Sequence, residues 1–575
     1  MDEGWPWNRE ERERLVGLFR GGKTADVIFV NGQVVNVLTG EILRREVVVK
    51  GPYVAYVGKD SASFRGATTQ ICDVDGAYIV PGLLDAHLHI ESSMLTPSRF
   101  GEMVLQGGVT GVFFDPHEIA NVAGLEGVLW MLDDLENSPL RGYLTVPSCI
   151  PASSEELETT GATFGLEEVK KAFGHPRAVA LGEMMNFPGV LGGQSSVFDK
   201  LQVSCRKGKV LEGHASGLYG RKLAAYLAAG IDSDHEAVTK EQAMERARNG
   251  CWTYLREGSG WADLEQTVKA VTEEGLSPAR FCLVTDDRDP LDLRDEGGVD
   301  HVVRRAIQAG LEPLTALRMA TINPATRFGL SDLLGSVSPG RYADLVLVKD
   351  LERFQVMKTY VGGKPTSERG HCSEIPQFLC DTVNLDLPLR LEDFNLRGKE
   401  KDFAIGVSKS GIVTELLRLP SAEVSSEALL HCAVLERHHG SGEMGRTRVA
   451  GFGLQRGALA STVAHDSHNL IVLGDSKDDM LAAVNWLVQN DGGQVAVCKG
   501  EVIGGISLPA GGLMSSKPPK RIARSLERLK KAVRQLGPVI DEPMMILSSL
   551  ALPVIPEARI TDKGLVNVED FELLT

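Results

Sequence analysis

The sequence lacks any cysteine arrangement typical of a disulfide framework. Its nine cysteines are dispersed from Cys72 to Cys498 and include no C-x-x-C pair. An odd, scattered set favours reduced thiols, and we therefore expect a cytoplasmic protein. Residues 1–23 are charged and contain no apolar core of a signal peptide. Because no apolar run reaches about 18 residues, we expect no membrane span and no membrane partner.

Basic residues are also fewer than acidic ones. The 77 acidic residues outnumber the 61 lysines and arginines, which gives a formal net charge of −16. Such a surface repels polyanions, so we expect no nucleic-acid partner and favour a small-molecule substrate. A length of 575 residues predicts two or three domains, and a hydrophobic content of 43% is ordinary for a soluble globular protein with large cores.

Short apolar runs at two places predict one small β-sandwich. Residues 5–20 have the pattern of an amphipathic helix, and residues 25–59 read as consecutive strands with a hairpin signal at Asn31-Gly32. A similar pattern of apolar, strand-forming residues recurs at residues 340–348. We therefore predict that the two flanks of a central region complete the same sandwich. Its two halves are 1–79, which includes the N-terminal helix, and 336–369.

The central region predicts an α/β fold, namely a (β/α)8 TIM-like barrel over residues 80–335, inserted in the sandwich. Apolar segments alternate there with helix-like stretches such as 240–248. The candidate strands are 78–84, 109–114, 143–147, 178–182, 209–212, 229–231, 251–255 and 281–285. Eight repeats in about 250 residues match this fold. An open doubly wound sheet is the competing arrangement, although no dinucleotide fingerprint follows the first strand. Residues 370–575 predict an additional C-terminal α/β domain.

Metal-ligating side chains stand at the ends of several candidate strands. Side chains two apart in a strand point to the same face, so His87 and His89 project side by side. The working residues of such barrels lie at the C-terminal rim. Four imidazoles and two carboxylates at this rim are suitable ligands for two divalent ions bridged by a carboxylate and a water-derived hydroxide. The predicted metal ligands are His87, His89, Glu183, His214, His235 and Asp286.

Two of these carboxylates have further predicted roles. Many binuclear barrel hydrolases bridge their metals with a carbamylated lysine at the end of strand four, but residues 178–189 contain no lysine. We expect Glu183 to bridge the ions directly; a salt bridge at the strand end is the alternative. Asp286, beside Asp287 and Arg288, is the predicted catalytic proton shuttle, since a carboxylate near the hydroxide can take its proton and deliver it to the leaving group.

Other polar residues near the rim are weaker candidates. Substrate contact, loop solvation and capping are equally open for those that follow the first two strands. These residues are Glu91, Ser93, Asp115, His117 and Glu118. Far along the chain, His465, Asp466 and His468 could complete the pocket, hold another ion or form a hydrogen-bond network between domains.

Several motifs together resemble those of the amidohydrolase superfamily and, within it, the bacterial-type adenine deaminases. His-x-His alone is typical of the whole superfamily, whereas HIESSMLTP, DPHEIANV and HDSHN are much narrower. The resemblance extends over nearly the whole chain, including the C-terminal domain. The segments that carry it are 81–97, 115–122, 182–190, 213–220, 230–236, 256–259, 285–288, 320–325, 339–345, 464–469 and 511–515.

The resemblance implies hydrolytic deamination of adenine to hypoxanthine and ammonia, a step of purine salvage. It also implies a manganese or iron binuclear centre, held by the same six ligands. The donor types alone suit zinc equally well. The implied partners are adenine and water, and we expect a homo-oligomer. Ser216, where proline is usual, and Asp289 depart mildly from the family pattern; neither is a predicted ligand.

Two other functions compete with this one. An amidohydrolase that acts on a cyclic amide or amidine usually carries the bridging lysine and lacks the long C-terminal domain. A catalytically silent scaffold would not need all six candidate ligands, Asp286 among them.

Overall fold

The computed structural model describes residues 8–21, 24–366, 374–386, 388–408, 414–419 and 429–574. Its first element is helix Arg9–Phe19, where the side chain of Asn8 accepts a hydrogen bond from the amide of Glu11. This cap satisfies one of the amides that a helix start leaves unpaired. Leu15 and Leu18 are the buried face of the helix. Of the helix predicted over 5–20, residues 5–7 lie outside the described part.

Both flanks of the central region build one β-sandwich, as predicted. Strand Tyr78–Pro81 pairs antiparallel with Leu345–Val348, although more than 250 residues separate them in sequence. Phe29 and Val47 of one sheet pack against Ile79 and Leu345 of the other. In spatial order the first sheet contains Tyr53–Gly58, Glu46–Lys50, Val27–Val30 and Gln70–Asp73. The second contains Lys364–Pro365, Val356–Val361, Leu345–Val348, Tyr78–Pro81, Gln33–Asn36 and Glu41–Arg44.

Eight parallel strands form the predicted barrel. They are β1 (Leu83–Leu88), β2 (Val109–Phe114), β3 (Arg141–Val146), β4 (Ala178–Met184), β5 (Val210–Gly213), β6 (Ser233–Asp234), β7 (Trp252–Arg256) and β8 (Phe281–Val284). Ladders join β1 through β5 and β6 through β8. The amide of Gly213 donates to Ser233 Oγ (2.9 Å) between β5 and β6. The amide of Asp286 donates to the carbonyl of His87 (3.1 Å), which closes the barrel between β8 and β1.

Helices alternate with these strands around the barrel. The helix that follows β2 begins at His117, and Gly124 interrupts it with a positive φ of 57°. The barrel helices are Pro97–Val104, His117–Leu135, Leu166–Ala172, Phe187–Leu191, Ser195–Arg206, Gly220–Ala228, Lys240–Arg248, Leu264–Thr267, Lys269–Thr272, Pro290–Asp295, Val299–Gln308, Pro313–Met319 and Ile322–Arg327.

Two predicted strands differ from the observed ones. The apolar run 78–84 is divided, because Pro81 lacks an amide proton and the amide of Gly82 donates to the carbonyl of Asp344 (2.8 Å). The chain passes at that point from the sandwich into β1. The sixth strand, predicted at 229–231, is shifted to Ser233–Asp234. Gly230 has a φ of 94°, a conformation that ends the preceding helix and delays the strand.

The C-terminal domain is centred on an eight-stranded sheet. In spatial order its strands are Thr414–Arg418, Phe403–Val407, Met444–Ala450, Leu429–Leu435, Leu470–Gly474, Ala458–Ser461, Gly493–Cys498 and Glu501–Ser507. The three α-helices that its described residues form are Lys477–Gln489, Pro519–Gln535 and Pro543–Ser549. A small sheet of Ala558–Thr561, Gly564–Asn567 and Glu572–Leu573 completes the domain.

This domain docks on the loops that follow the first three barrel strands. The amide of Ser515 donates to the carbonyl of Met94 (3.0 Å). Thr561 Oγ1 donates to the carbonyl of Leu157 (2.6 Å). The C-terminal domain therefore covers part of the barrel rim where the candidate site lies. Among the described residues, no helix is long and apolar enough to cross a membrane.

Candidate active site

Strand β1 supplies the first pair of candidate ligands. Asp85, His87 and His89 alternate along it, and all three are buried. Asp85 Oδ2 accepts a hydrogen bond from Thr285 Oγ1 (2.6 Å), which ties β1 to the end of β8. Burial raises the pKa of Asp85 to about 7. Asp85 is not among the residues predicted from the sequence, although the alternation Asp-Ala-His-Leu-His places it on the histidine face.

Glu183, at the end of β4, faces two groups of imidazoles with its two oxygens. Oε1 lies 3.2 Å from His89 Nε2 and 4.0 Å from His87 Nε2. Oε2 lies 2.7 Å from His214 Nδ1 and 3.4 Å from His235 Nε2. A carboxylate in this position can connect two adjacent ions.

Asp286 follows β8 and lies beside the two histidines from β1. Its Oδ1 lies 3.2 Å from His89 Nε2 and 3.6 Å from His87 Nε2. Its backbone has a φ of 56°, a left-handed conformation that aspartate tolerates better than most residues. The structure thus brings all six predicted ligands together in overlapping groups whose ligand atoms lie within 4.8 Å of one another.

The donor set fits a pair of divalent ions. Two of its N···O separations, at 3.4 and 3.6 Å, are longer than ordinary hydrogen bonds of about 2.7–3.2 Å. They suit two ligands that are each about 2.0–2.2 Å from a common ion. The buried His87 Nε2 finds no hydrogen-bond partner among the described residues. His89 Nδ1 bonds to the carbonyl of Asp115 (2.9 Å), which orients Nε2 as a ligand.

Electrostatics keep both carboxylates of the centre charged. Burial alone raises the pKa of Glu183, but hydrogen bonds from His214, His235 and His89 outweigh it and hold the pKa well below its usual value. Burial also raises the pKa of Asp286, but contacts with His87, His89 and Arg256 outweigh it and hold this pKa well below its usual value. An anionic carboxylate is the form that binds cations, so both side chains are ready to serve as ligands.

Arg256 and Glu236 support the centre from β7 and β6. Arg256 Nη1 lies 3.0 Å from Asp286 Oδ2 and also contacts Glu236 Oε1, while its Nη2 lies 3.0 Å from Asp263 Oδ2. Glu236 Oε1 lies 3.6 Å from His235 Nε2. Arg256, which follows strand seven at the rim, was open from the sequence to substrate contact, loop solvation or capping, and Glu236 had no predicted role. The position of Glu236 directly after the predicted ligand His235 was the available signal.

The candidate contacts near β1 and β2 fall into two groups. Ser93 Oγ donates to the carbonyl of Ile90 (2.6 Å), so its hydroxyl proton is engaged in its own turn. Asp115 Oδ2 accepts from the amide of Glu183 (2.9 Å) and thereby holds a ligand. Glu91 Oε1 accepts from the amide of Ile119 (3.1 Å) in the first turn of the helix that starts at His117.

His117 and Glu118 instead face the C-terminal domain. Glu118 Oε1 lies 3.3 Å from His465 Nδ1, and Glu118 Oε2 lies 3.6 Å from His468 Nε2. Asp466 Oδ2 lies 3.9 Å from His117 Nε2. Residues that are about 350 positions apart thus form one buried cluster beside the candidate metal centre.

A closed parallel barrel with histidines and carboxylates at its C-terminal rim is the architecture of a metal-dependent amidohydrolase. Residues 78–366 match the amidohydrolase family, and residues 413–572 match the adenine deaminase C-terminal domain. An adenine deaminase from Moorella thermoacetica is 40% identical, with 98% of each chain covered. An adenine deaminase from Rubrobacter xylanophilus is 42% identical, with 98% of this chain and 97% of that protein covered. The chain belongs to the adenine deaminase family.

Among solved structures, β-aspartyl dipeptidase from Fervidobacterium islandicum AW-1 is similar with a TM-score of 0.46 and 17% identity. The alignment covers 62% of this chain and 99% of that chain.

Proposed function

We propose that this protein catalyses the hydrolytic deamination of adenine to hypoxanthine and ammonia, with adenine and water as its substrates. The observation that carries the proposal is the convergence of His87, His89, His214, His235 and Asp286 around the two oxygens of Glu183. The names of the relatives supply the substrate class. The missing lysine on β4 argues against a cyclic amide as substrate, and the full ligand set argues against a silent scaffold.

These six residues would hold two divalent ions, which would lower the pKa of water and so supply a nucleophile near neutral pH. Carbon 6 of adenine is a weak electrophile, and its amino group leaves poorly. Asp286 accepts the proton of the attacking water and passes it to the departing ammonia. Arg256, 3.0 Å from Asp286 Oδ2, holds this carboxylate in orientation.

Ring nitrogen N1 of adenine must take up a proton as its electron pair develops. Glu183, the first candidate donor, is held anionic by its lowered pKa, which leaves a neighbouring rim carboxylate as the better candidate. Glu91 and Glu118 are the rim carboxylates whose pKa values burial raises, that of Glu91 to about 7. A carboxyl with a raised pKa can donate a proton near neutral pH.

We propose manganese or iron as the native metal, because the family resemblance implies one of these. The nitrogen and oxygen donors are compatible with both. The metal content of protein purified from cells grown with manganese, iron or zinc, compared with activity, tests this choice.

The substrate assignment is tested by incubating manganese-loaded protein with adenine, adenosine, cytosine and dihydroorotate. We expect ammonia release from adenine, and neither ammonia from cytosine nor ring opening of dihydroorotate. Turnover of cytosine or dihydroorotate without turnover of adenine would overturn the assignment.

A further inference from the structure

The C-terminal domain holds one short segment rigidly against the metal-centre side of the barrel. This segment, residues 464–469, connects strands Ala458–Ser461 and Leu470–Gly474 and is called the HDSHN loop below. Arg437 donates from Nε to the carbonyl of His468, and its amide donates to Asn469 Oδ1 (3.2 Å). Asn469 Nδ2 donates to the carbonyl of Thr159 (2.8 Å) in the barrel. The loop therefore has a fixed position relative to the barrel rim.

Within the loop, Asp466 has an acceptor that the protein leaves unused. The residue is only 3% exposed. Its Oδ1 lies 3.5 Å from His465 Nδ1. Its Oδ2 finds no hydrogen-bond partner among the residues that the structure describes. A buried carboxylate oxygen without a donor is costly, so this atom is free to accept a hydrogen bond from a ligand.

Asp466 lies close to the metal centre. His117 stands between Asp466 and the metal centre: its Nε2 lies 3.9 Å from Asp466 Oδ2, and its Nδ1 lies 3.6 Å from Glu183 Oε1. Asp466 is thus one imidazole ring away from the bridging carboxylate. A planar bicyclic base with its reacting carbon at the metal centre would turn its opposite edge toward Asp466.

A cation is a poorer occupant of this loop, although Glu118, His465 and His468 lie close enough together to hold one. The amide of Ala464 donates to His468 Nδ1 (3.2 Å), which places the imidazole proton on Nε2. A neutral imidazole with its proton on Nε2 presents no lone pair there to a metal. This atom lies 3.6 Å from Glu118 Oε2, too far for a hydrogen bond, and has no hydrogen-bond partner among the described residues. His468 is therefore not a cation ligand in this arrangement.

We propose that Asp466 accepts a hydrogen bond from the ring N–H of the five-membered ring of the purine and so selects the free base over bases substituted at N9. This inference rests on the proposed function. A carboxylate only accepts hydrogen bonds, and adenine offers this N–H whereas a nucleoside or 9-methyladenine does not. A site that is built to hydrogen-bond a substrate N–H discriminates strongly against an analogue that lacks it.

The test compares adenine with 9-methyladenine in an Asp466→Ala variant. We expect kcat/KM for adenine to fall about 100-fold, equivalent to about 2.7 kcal/mol for one buried charge-assisted hydrogen bond. The inhibition constant of 9-methyladenine against adenine turnover should change less than about threefold, since that analogue never made the bond. Asp466→Asn, which keeps an oxygen acceptor without the charge, should show a smaller loss and serves if the alanine variant fails to fold.

Asp562→Asn is the matched control at the same domain interface. Asp562 Oδ1 accepts from the amide of Thr159 (3.1 Å) and from Asn469 Nδ2 (3.1 Å), so it supports the loop without facing the metal centre. This variant should affect adenine and 9-methyladenine equally. Metal content should stay unchanged in all three variants.

An equal loss for adenine and 9-methyladenine in the Asp466 variants, or no loss for either, would overturn the inference and leave the proposed function intact. If the unaltered protein releases no ammonia from adenine, both the inference and the proposed function fail.

Discussion

Replacement of Arg256 by methionine tests how the charges of the site are balanced. The guanidinium is only 3% exposed. It contacts three carboxylates, those of Asp286, Glu236 and Asp263. Methionine keeps most of the volume but leaves Asp286 and Glu236 facing each other without a cation. Because one partner of a buried pair is removed, we expect the metal-free protein to lose about 3–5 kcal/mol of unfolding free energy.

Turnover should fall as well. Loss of one charge-assisted hydrogen bond to Asp286 corresponds to about 1.5–3 kcal/mol, or roughly a 10- to 100-fold decrease in kcat. The assays are urea denaturation of the metal-free protein and steady-state kinetics of the manganese-loaded protein. Arg256 lies over the Trp261 ring, 5.4 Å from its centroid. Arg280→Met is the control: Arg280 also lies over a tryptophan, 5.7 Å from the Trp252 ring centroid, but is exposed and bonds to a carbonyl. A folded Arg256 variant with unchanged kcat would refute the reasoning.

Three further predictions concern stability and metal. Burial raises the pKa of Glu158 from 4.5 to about 7, so its folded form binds a proton more tightly and stability falls as pH rises between these values. The Glu158→Gln side chain does not titrate, so the unfolding free energy of this variant should rise relative to that of the unaltered protein by up to about 3 kcal/mol between pH 5 and 8. Urea denaturation measures this difference. A difference that does not change with pH would contradict the prediction. Arg327→Met removes the cation that bonds to Glu212 (2.7 Å) and Asp232 (2.6 Å), and should lower unfolding free energy by about 3–5 kcal/mol with kcat unchanged. Chelation should abolish ammonia release and lower Tm, and manganese should restore both; activity that survives chelation would oppose the metal proposal.

The barrel and the meeting of the six candidate ligands could be predicted because both follow from local pattern. Apolar strands alternate with helices, and the carboxyl ends of parallel strands meet at one face. A residue at the end of β4 and one at the end of β8 must therefore lie near each other. The boundary at Pro81 was missed because the apolar run continues across it, while two different sheets use its two halves.

The contacts of the C-terminal domain could not be predicted in the same way. His465 and Glu118 meet only because two domains dock, and no periodicity within either segment encodes that contact. From the sequence, completing the pocket or holding another ion therefore stood as an even alternative to an interface network. The hydrogen bond from the Ala464 amide to His468 Nδ1 argues against the ion, since it leaves the imidazole proton on Nε2.

Anomalous scattering from crystals of the manganese-loaded protein tests the central claim most directly. We predict two ions per chain, one beside each oxygen of Glu183, with His87, His89 and Asp286 around the first and His214 and His235 around the second. A single ion, or ions bound away from Glu183, would contradict the account.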